Sequence, residues 1–94
     1  MNKYEVIIMQ YPNSEEEKRA EQMDRLKKIL EAGGTIQNVD DWGLRKLAYE
    51  IEYHKDAYYT LIEFENDPQN IKEFDRVAKI LDTVMRHMVV RMDE

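Results

Sequence analysis

The sequence predicts an α+β domain whose elements run βαββαβ. Three observations carry this: four segments alternate apolar and polar residues with period two, two further segments repeat at three and four residues, and turn or cap residues mark the junctions. At 94 residues the chain is sized for one domain, 1–94.

Lys3 to Gln10 reads as a strand with Tyr4, Val6 and Ile8 on one face and Glu5, Ile7 and Met9 on the other, closed by Tyr11-Pro12-Asn13. Ser14 followed by Glu17 has the spacing of a capping box, and Glu15, Glu16 and Glu17 suit the positive end of a helix dipole. Ala20, Met23, Leu26, Ile29 and Leu30 then form one apolar stripe, and Gly33-Gly34 offers the left-handed conformation that stops a helix. Thr35 to Asp41 reads as a strand that bends near Trp42-Gly43, with Gly43 as a bulge, and continues through Leu47, Tyr49 and Ile51. Those three residues are expected in the core. A polar connection from Tyr53 to Asp56 leads into Ala57 to Glu65, so the two strands should pair as a long hairpin. Asp67-Pro68 is a cap followed by proline at the first helical position, and Ile71, Phe74, Val77, Ala78 and Leu81 supply a second stripe ending near Asp82. Val84 to Met92 is the last strand.

Right-handed crossovers place both helices on one face of a four-stranded antiparallel sheet, a ferredoxin-like arrangement. The other face should be polar at every second position if it met only water, yet Ile7, Met9, Tyr59, Leu61, Met88 and Val90 fall there by alternation. An exposed apolar patch of this kind marks an interaction surface.

Catalytic and metal-binding patterns are absent from the sequence. There is no Cys, which removes disulfides, thiolate metal sites and thiol catalysis, and fits a reduced cytosol. Ser14 is the only serine and is accounted for as a cap, while His54 and His87 have no metal-ligand spacing. Asp40-Asp41 reads as a solvated turn, since adjacent strand residues point to opposite faces. His87 reads as a core or semi-buried histidine rather than a contact residue. No glycine-rich loop cradles phosphate, so a nucleotide-transfer or acylphosphatase-like enzyme lacks its apparatus; no cofactor and no small-molecule substrate is expected. No apolar run reaches the roughly 18 residues of a membrane span, and Met1 to Glu5 lack the apolar stretch of a secretion signal. The chain is therefore expected to be neither exported nor anchored.

The net charge of −6, from 14 basic and 20 acidic residues, argues against a protein that coats nucleic acid indiscriminately. Basic residues nonetheless lie on strands: Lys3, Arg45, Lys46, Lys55, Arg86 and Arg91, with Arg86 and Arg91 on opposite faces by alternation. Tyr58 to Phe64 is only faintly similar to the aromatic third strand of an RNA-recognition motif, for the preceding glycine is missing and Glu63 lies on the base-binding face.

The segment Gly43-Leu44-Arg45-Lys46-Leu47-Ala48-Tyr49-Glu50-Ile51 closely resembles the signature of the bacterial small-subunit ribosomal protein number six family: Gly, any residue, a basic residue, a polar residue, Leu, Ala or Ser, Tyr, any residue, Ile. Tyr4-Glu5-Val6 and Val84 to Arg91 resemble that family's first and last strands, so the resemblance spans the chain. Glu50 stands where many members carry Pro, and Glu52 where a small or basic residue is usual, which makes this hairpin more acidic. The sequence stops at Asp93-Glu94, and no extended tail is expected.

The resemblance implies a non-catalytic, cytoplasmic component of the small ribosomal subunit that binds the central, platform domain of small-subunit rRNA together with small-subunit protein number eighteen. It further implies that Lys3, Arg45, Lys46, Arg86 and Arg91 contact phosphate and sugar, setting orientation rather than reading bases. The partner protein would use Ile7, Met9, Tyr59, Leu61 and Met88, with Trp42 either a further anchor or a ring packed beside the Gly43 bulge. The competing expectation is a small-molecule-regulated or self-associating domain of the same fold, dimerising through the apolar sheet face.

Overall fold

The two faces of the alternating segments meet different surroundings, and this sets the layering. The computed structural model describes residues 1–92 as β1 (Asn2–Gln10), α1 (Glu16–Ala32), β2 (Gly34–Ile51), β3 (His54–Asn66), α2 (Pro68–Ile80) and β4 (Val84–Arg91). The sheet order is β2-β3-β1-β4, and every pairing is antiparallel. This is the ferredoxin-like arrangement that the sequence predicts.

Tyr4, Val6 and Ile8 of β1 and Ile62 and Phe64 of β3 pack against Met23, Leu26 and Leu30 of α1 and Phe74, Val77 and Ala78 of α2. Each fully buried Leu, Ile or Phe contributes about 1.5–3 kcal/mol. Both helices therefore lie on the face that presents these side chains, and the opposite face of the sheet stays open. His87 faces the helices from β4, half-buried, with its ring edge-on to Phe74 and its Nε2 2.9 Å from Asp75.

The helix ends are built differently from their sequence signals. Ser14 does not cap α1: Glu15 occupies the cap position without a side-chain hydrogen bond, and the Ser14 hydroxyl donates instead to the Tyr11 carbonyl at 2.6 Å. The turn after β1 takes the serine before the helix can. At the other end Gly33 has φ −108°, so no left-handed residue stops the helix. What requires glycine there is close approach. A Cβ on Gly33 would lie 2.2 Å from Asn70 Nδ2, and one on Gly34 would lie 1.9 Å from the Glu65 carbonyl oxygen. Two asparagine amides cover the last carbonyls of α1, Asn66 donating to Leu30 O at 2.7 Å and Asn70 to Ile29 O at 2.8 Å. The cap at Asp67 forms as the sequence indicates, accepting from Gln69 N at 2.9 Å with Pro68 behind it. α2 stops at Ile80, two residues before Asp82, and β4 at Arg91.

The β2–β3 hairpin is longer than the sheet it belongs to. Register with β1 ends at Gln10↔Tyr58, leaving His54 to Ala57 and the matching part of β2 as a projecting arm. Its turn is tighter than the Tyr53 to Asp56 connection expected from sequence. Only Glu52 and Tyr53 make it, both at positive φ (50° and 68°), the geometry whose twist suits a two-residue hairpin. Gly43 has φ +71° at a register shift, as the bulge reading requires, and Asp41 beside it accepts from Gly43 N at 2.9 Å. Asp40 and Asp41 thus belong to a strand, not a turn.

Candidate functional site

Cross-strand register places the open-face residues in rows. One row runs Asp40, Leu61, Ile7, Met88 from β2 to β4, and the next runs Gly43, Tyr59, Met9, Arg86. Ile7, Met9, Tyr59, Leu61 and Met88 are thereby neighbours in one patch. Met88 is the most open of them, at 52% exposure, and Ile7, Tyr59 and Leu61 are half-buried. Met9 is only 7% exposed although it faces away from both helices. Trp42 extends the patch by stacking on Tyr59, centroids 6.1 Å apart at 19°.

The arm folds back toward this patch. The Tyr49 phenol, on the strand at one edge of the sheet, accepts from Arg86 on the strand at the other edge at 3.2 Å. At the tip, the Tyr11 phenol donates to the Glu52 carboxylate, and the Tyr11 ring meets His54 edge-on at 5.2 Å. That hydrogen bond, with some burial and the Glu52 charge, holds the Tyr11 hydroxyl above the ordinary phenol range. Leu47, Tyr49 and Ile51 are consequently outside the core, a correction to the sequence expectation. Tyr49 is 65% exposed, and Leu47 and Ile51 are half-buried on the arm. Three register shifts along β2 uncouple its alternation from the faces of the inner strands.

The five basic residues do not form one strip. Arg86 borders the apolar patch, and Arg45 and Lys46 lie on the arm at the same end of the sheet, paired with Ala57 and Asp56. Arg45 Nε donates to the Trp42 carbonyl at 3.0 Å. Lys3 is on the open face but six residues along β1 from Met9, roughly 20 Å at the strand rise. Arg91 pairs with Tyr4, so it lies on the helix side, where it donates to Asn2 Oδ1 at 3.2 Å. Sequence reasoning missed Arg19, whose guanidinium lies 3.8 Å from the Tyr58 ring centroid on the helix side of the hairpin. Nothing in spacing joins residues 39 positions apart.

What this surface can do is bind. Among the described residues no group of three or more His, Asp or Glu is placed to hold a metal ion, and no helix is long and apolar enough to cross a membrane. The buried polar side chains near the hairpin end are spent on structure: Gln10 donates to Arg19 O and to Thr83 Oγ1, both at 3.1 Å, and Thr83 in turn bonds Gln22.

Compared with known proteins, residues 3–91 match the family described as Ribosomal protein S6. The chain belongs to the ribosomal protein S6 family. It is 49% identical to small ribosomal subunit protein bS6 of Alkaliphilus oremlandii over 94 residues, all of both chains, and 49% identical to that of Clostridium kluyveri over 92 residues, 97% of each. Its fold matches the crystal structure of 30S ribosomal protein S6 from Thermotoga maritima with a TM-score of 0.90 at 34% identity, covering 97% of this chain and 87% of that one. Membership in the S6 family makes the chain a non-catalytic constituent of the small ribosomal subunit, an rRNA-binding protein of the bacterial cytoplasm.

Proposed function

We propose that the chain binds the central, platform domain of small-subunit rRNA as a pair with small-subunit protein number eighteen, which occupies the open sheet face. The observation that carries this reading is the contiguous patch of Ile7, Met9, Tyr59, Leu61 and Met88, extended by Trp42, on a face that no helix covers. A domain of net charge −6 binds polyphosphate weakly alone, so a basic partner supplies the affinity. RNA contact by this chain falls to its rim: Arg86 with Arg45 and Lys46 at one end of the sheet, Lys3 and Arg91 at the other. These positions suit phosphate and sugar contacts that fix orientation.

The test is titration of a platform rRNA fragment, already bound by the protein that organises its junction, with this chain, with protein number eighteen, and with both, at two salt concentrations. Tight, salt-weakened binding by the mixture alone is the expected result. A mixture that binds no better than protein number eighteen by itself overturns the reading. A concentration-dependent dimer of this chain would then point to self-association through the same face.

A further inference from the structure

The open face bears acidic charge as well as apolar surface, concentrated on its two central strands in the rows next to the patch. The row beyond Asp40-Leu61-Ile7-Met88 runs Asn38, Glu63, Glu5, Val90, so Glu5 and Glu63 stand directly opposite each other on neighbouring strands. Opposed residues on one face have Cβ atoms about 4.5–5.5 Å apart, and like charges so placed destabilise a sheet. Glu65 follows in the next row, opposite Lys3. Among the described residues none of these carboxylates makes an ion pair; Glu63 accepts from Asn38 at 3.4 Å and Glu65 from Gln37 at 3.0 Å. The chain thus keeps a repulsive pair beside its apolar patch, and the core makes no use of it.

We infer that the open face docks its partner in one orientation: a polypeptide segment sets apolar side chains over Ile7, Met9, Tyr59, Leu61 and Met88 and a lysine or arginine one row away, its cation between the Glu5 and Glu63 carboxylates. This rests on the reading that a protein occupies this face. Successive rows are two strand residues apart, about 6.6–6.8 Å, a step that two residues of an extended segment match. Charge selects among occupants. RNA phosphates would meet carboxylates here, and a second copy of the chain would bring its own Glu5 and Glu63 to the interface. A segment joining apolar and basic residues gains at both ends, and reversing it costs at both, which makes the pair a device for orientation and specificity.

The variants are Glu5→Gln, Glu63→Gln and the double substitution. Each is titrated calorimetrically against purified protein number eighteen of the same organism at two salt concentrations, beside thermal unfolding of the free chain. The double variant is expected to unfold at the same or a higher temperature and to bind about tenfold more weakly or worse, with a smaller salt dependence. Unchanged or tighter binding, with Leu61→Ala still weakening it, overturns the charge inference and leaves the docking reading standing. Weaker binding with a lowered unfolding temperature assigns the carboxylates a structural role and also overturns it. Absence of binding by the wild-type chain overturns both.

Discussion

Arg86 and Tyr49 sit on the two edge strands of the sheet, yet the guanidinium donates to the phenol oxygen at 3.2 Å. The contact spans the width of the open face, and it exists because the hairpin arm turns back over the end of β1. Met9, between Tyr59 and Arg86 in register, is left with little exposure. Tyr49→Phe keeps the ring and removes the acceptor. Both groups are exposed, so global stability should change by less than about 1 kcal/mol. Amide hydrogen exchange in residues 49–53 should nevertheless quicken. Unaltered exchange there would mean that the arm holds its position without this bond.

Gly34 and Gly43 are both glycine for different physical reasons, and alanine should separate them. A Cβ on Gly34 would lie 1.9 Å from the Glu65 carbonyl oxygen, a backbone atom that no side-chain rotation can move aside. Gly34→Ala should therefore cost at the upper end of the roughly 1–3 kcal/mol range for overpacking, or more. A Cβ on Gly43 meets nothing within 4 Å, and only its φ of +71° penalises a side chain, at about 1–2 kcal/mol. Urea midpoints of the two variants should rank in that order.

Asn66 is fully buried and has both ends of its amide in use. Nδ2 donates to Leu30 O at 2.7 Å, and the side-chain oxygen accepts from Asn70 Nδ2 at 2.7 Å. Asn66→Ala leaves a buried helix-end carbonyl without its donor and should cost about 1–3 kcal/mol. Asn70→Ala removes the neighbouring donor to Ile29 O from the same network. The two losses should fail to add in a double-mutant cycle read by equilibrium unfolding.

Asp82, after α2, accepts from Lys18 at 2.6 Å and from Gln22 at 2.7 Å, both on α1. The Lys18 hydrogen bond, then that of Gln22, holds its carboxyl below the usual range. A carboxyl with a lowered folded pKa stabilises the fold above its unfolded value, about 3.9, and loses that contribution as pH falls through the folded value. The advantage of wild type over Asp82→Asn in unfolding temperature should therefore be full near neutral pH and shrink below about pH 4. An advantage that persists undiminished in acid would assign it to something other than this charge. The pair is exposed, so added salt should reduce it as well.

The layering and the apolar patch were legible because alternation survives along β1 and β3, and along β4 beyond the bulge that sets Val84 opposite Gln10 and Arg86 opposite Met9. One face of each meets helices, and Ile7, Met9, Tyr59, Leu61 and Met88 follow from the same count on the other. Along β2 that count fails. Register shifts between Ile36 and Asn38, between Asp41 and Gly43, and between Lys46 and Ile51 break its phase, so Leu47, Tyr49 and Ile51 look like core residues and are not. Ser14 and Gly33 misled for a related reason: local motifs say which bonds a residue can make, and tertiary neighbours decide which it does make. The grouping of the basic residues was likewise hidden, because distance along a strand separates Lys3 from Arg86 while sequence type does not.

Those register shifts also bear on how the chain survives before assembly. β2 is an edge strand of 18 residues with an unpaired outer side, the kind of border on which a stray strand can grow. A straight edge of that length would invite copies to zip together. The three irregularities, with Asp40, Asp41, Arg45 and Lys46 spaced among them, cut it into short pieces that differ in direction and charge. The bends that aim the arm over the open face thereby also protect the unassembled chain from aggregation.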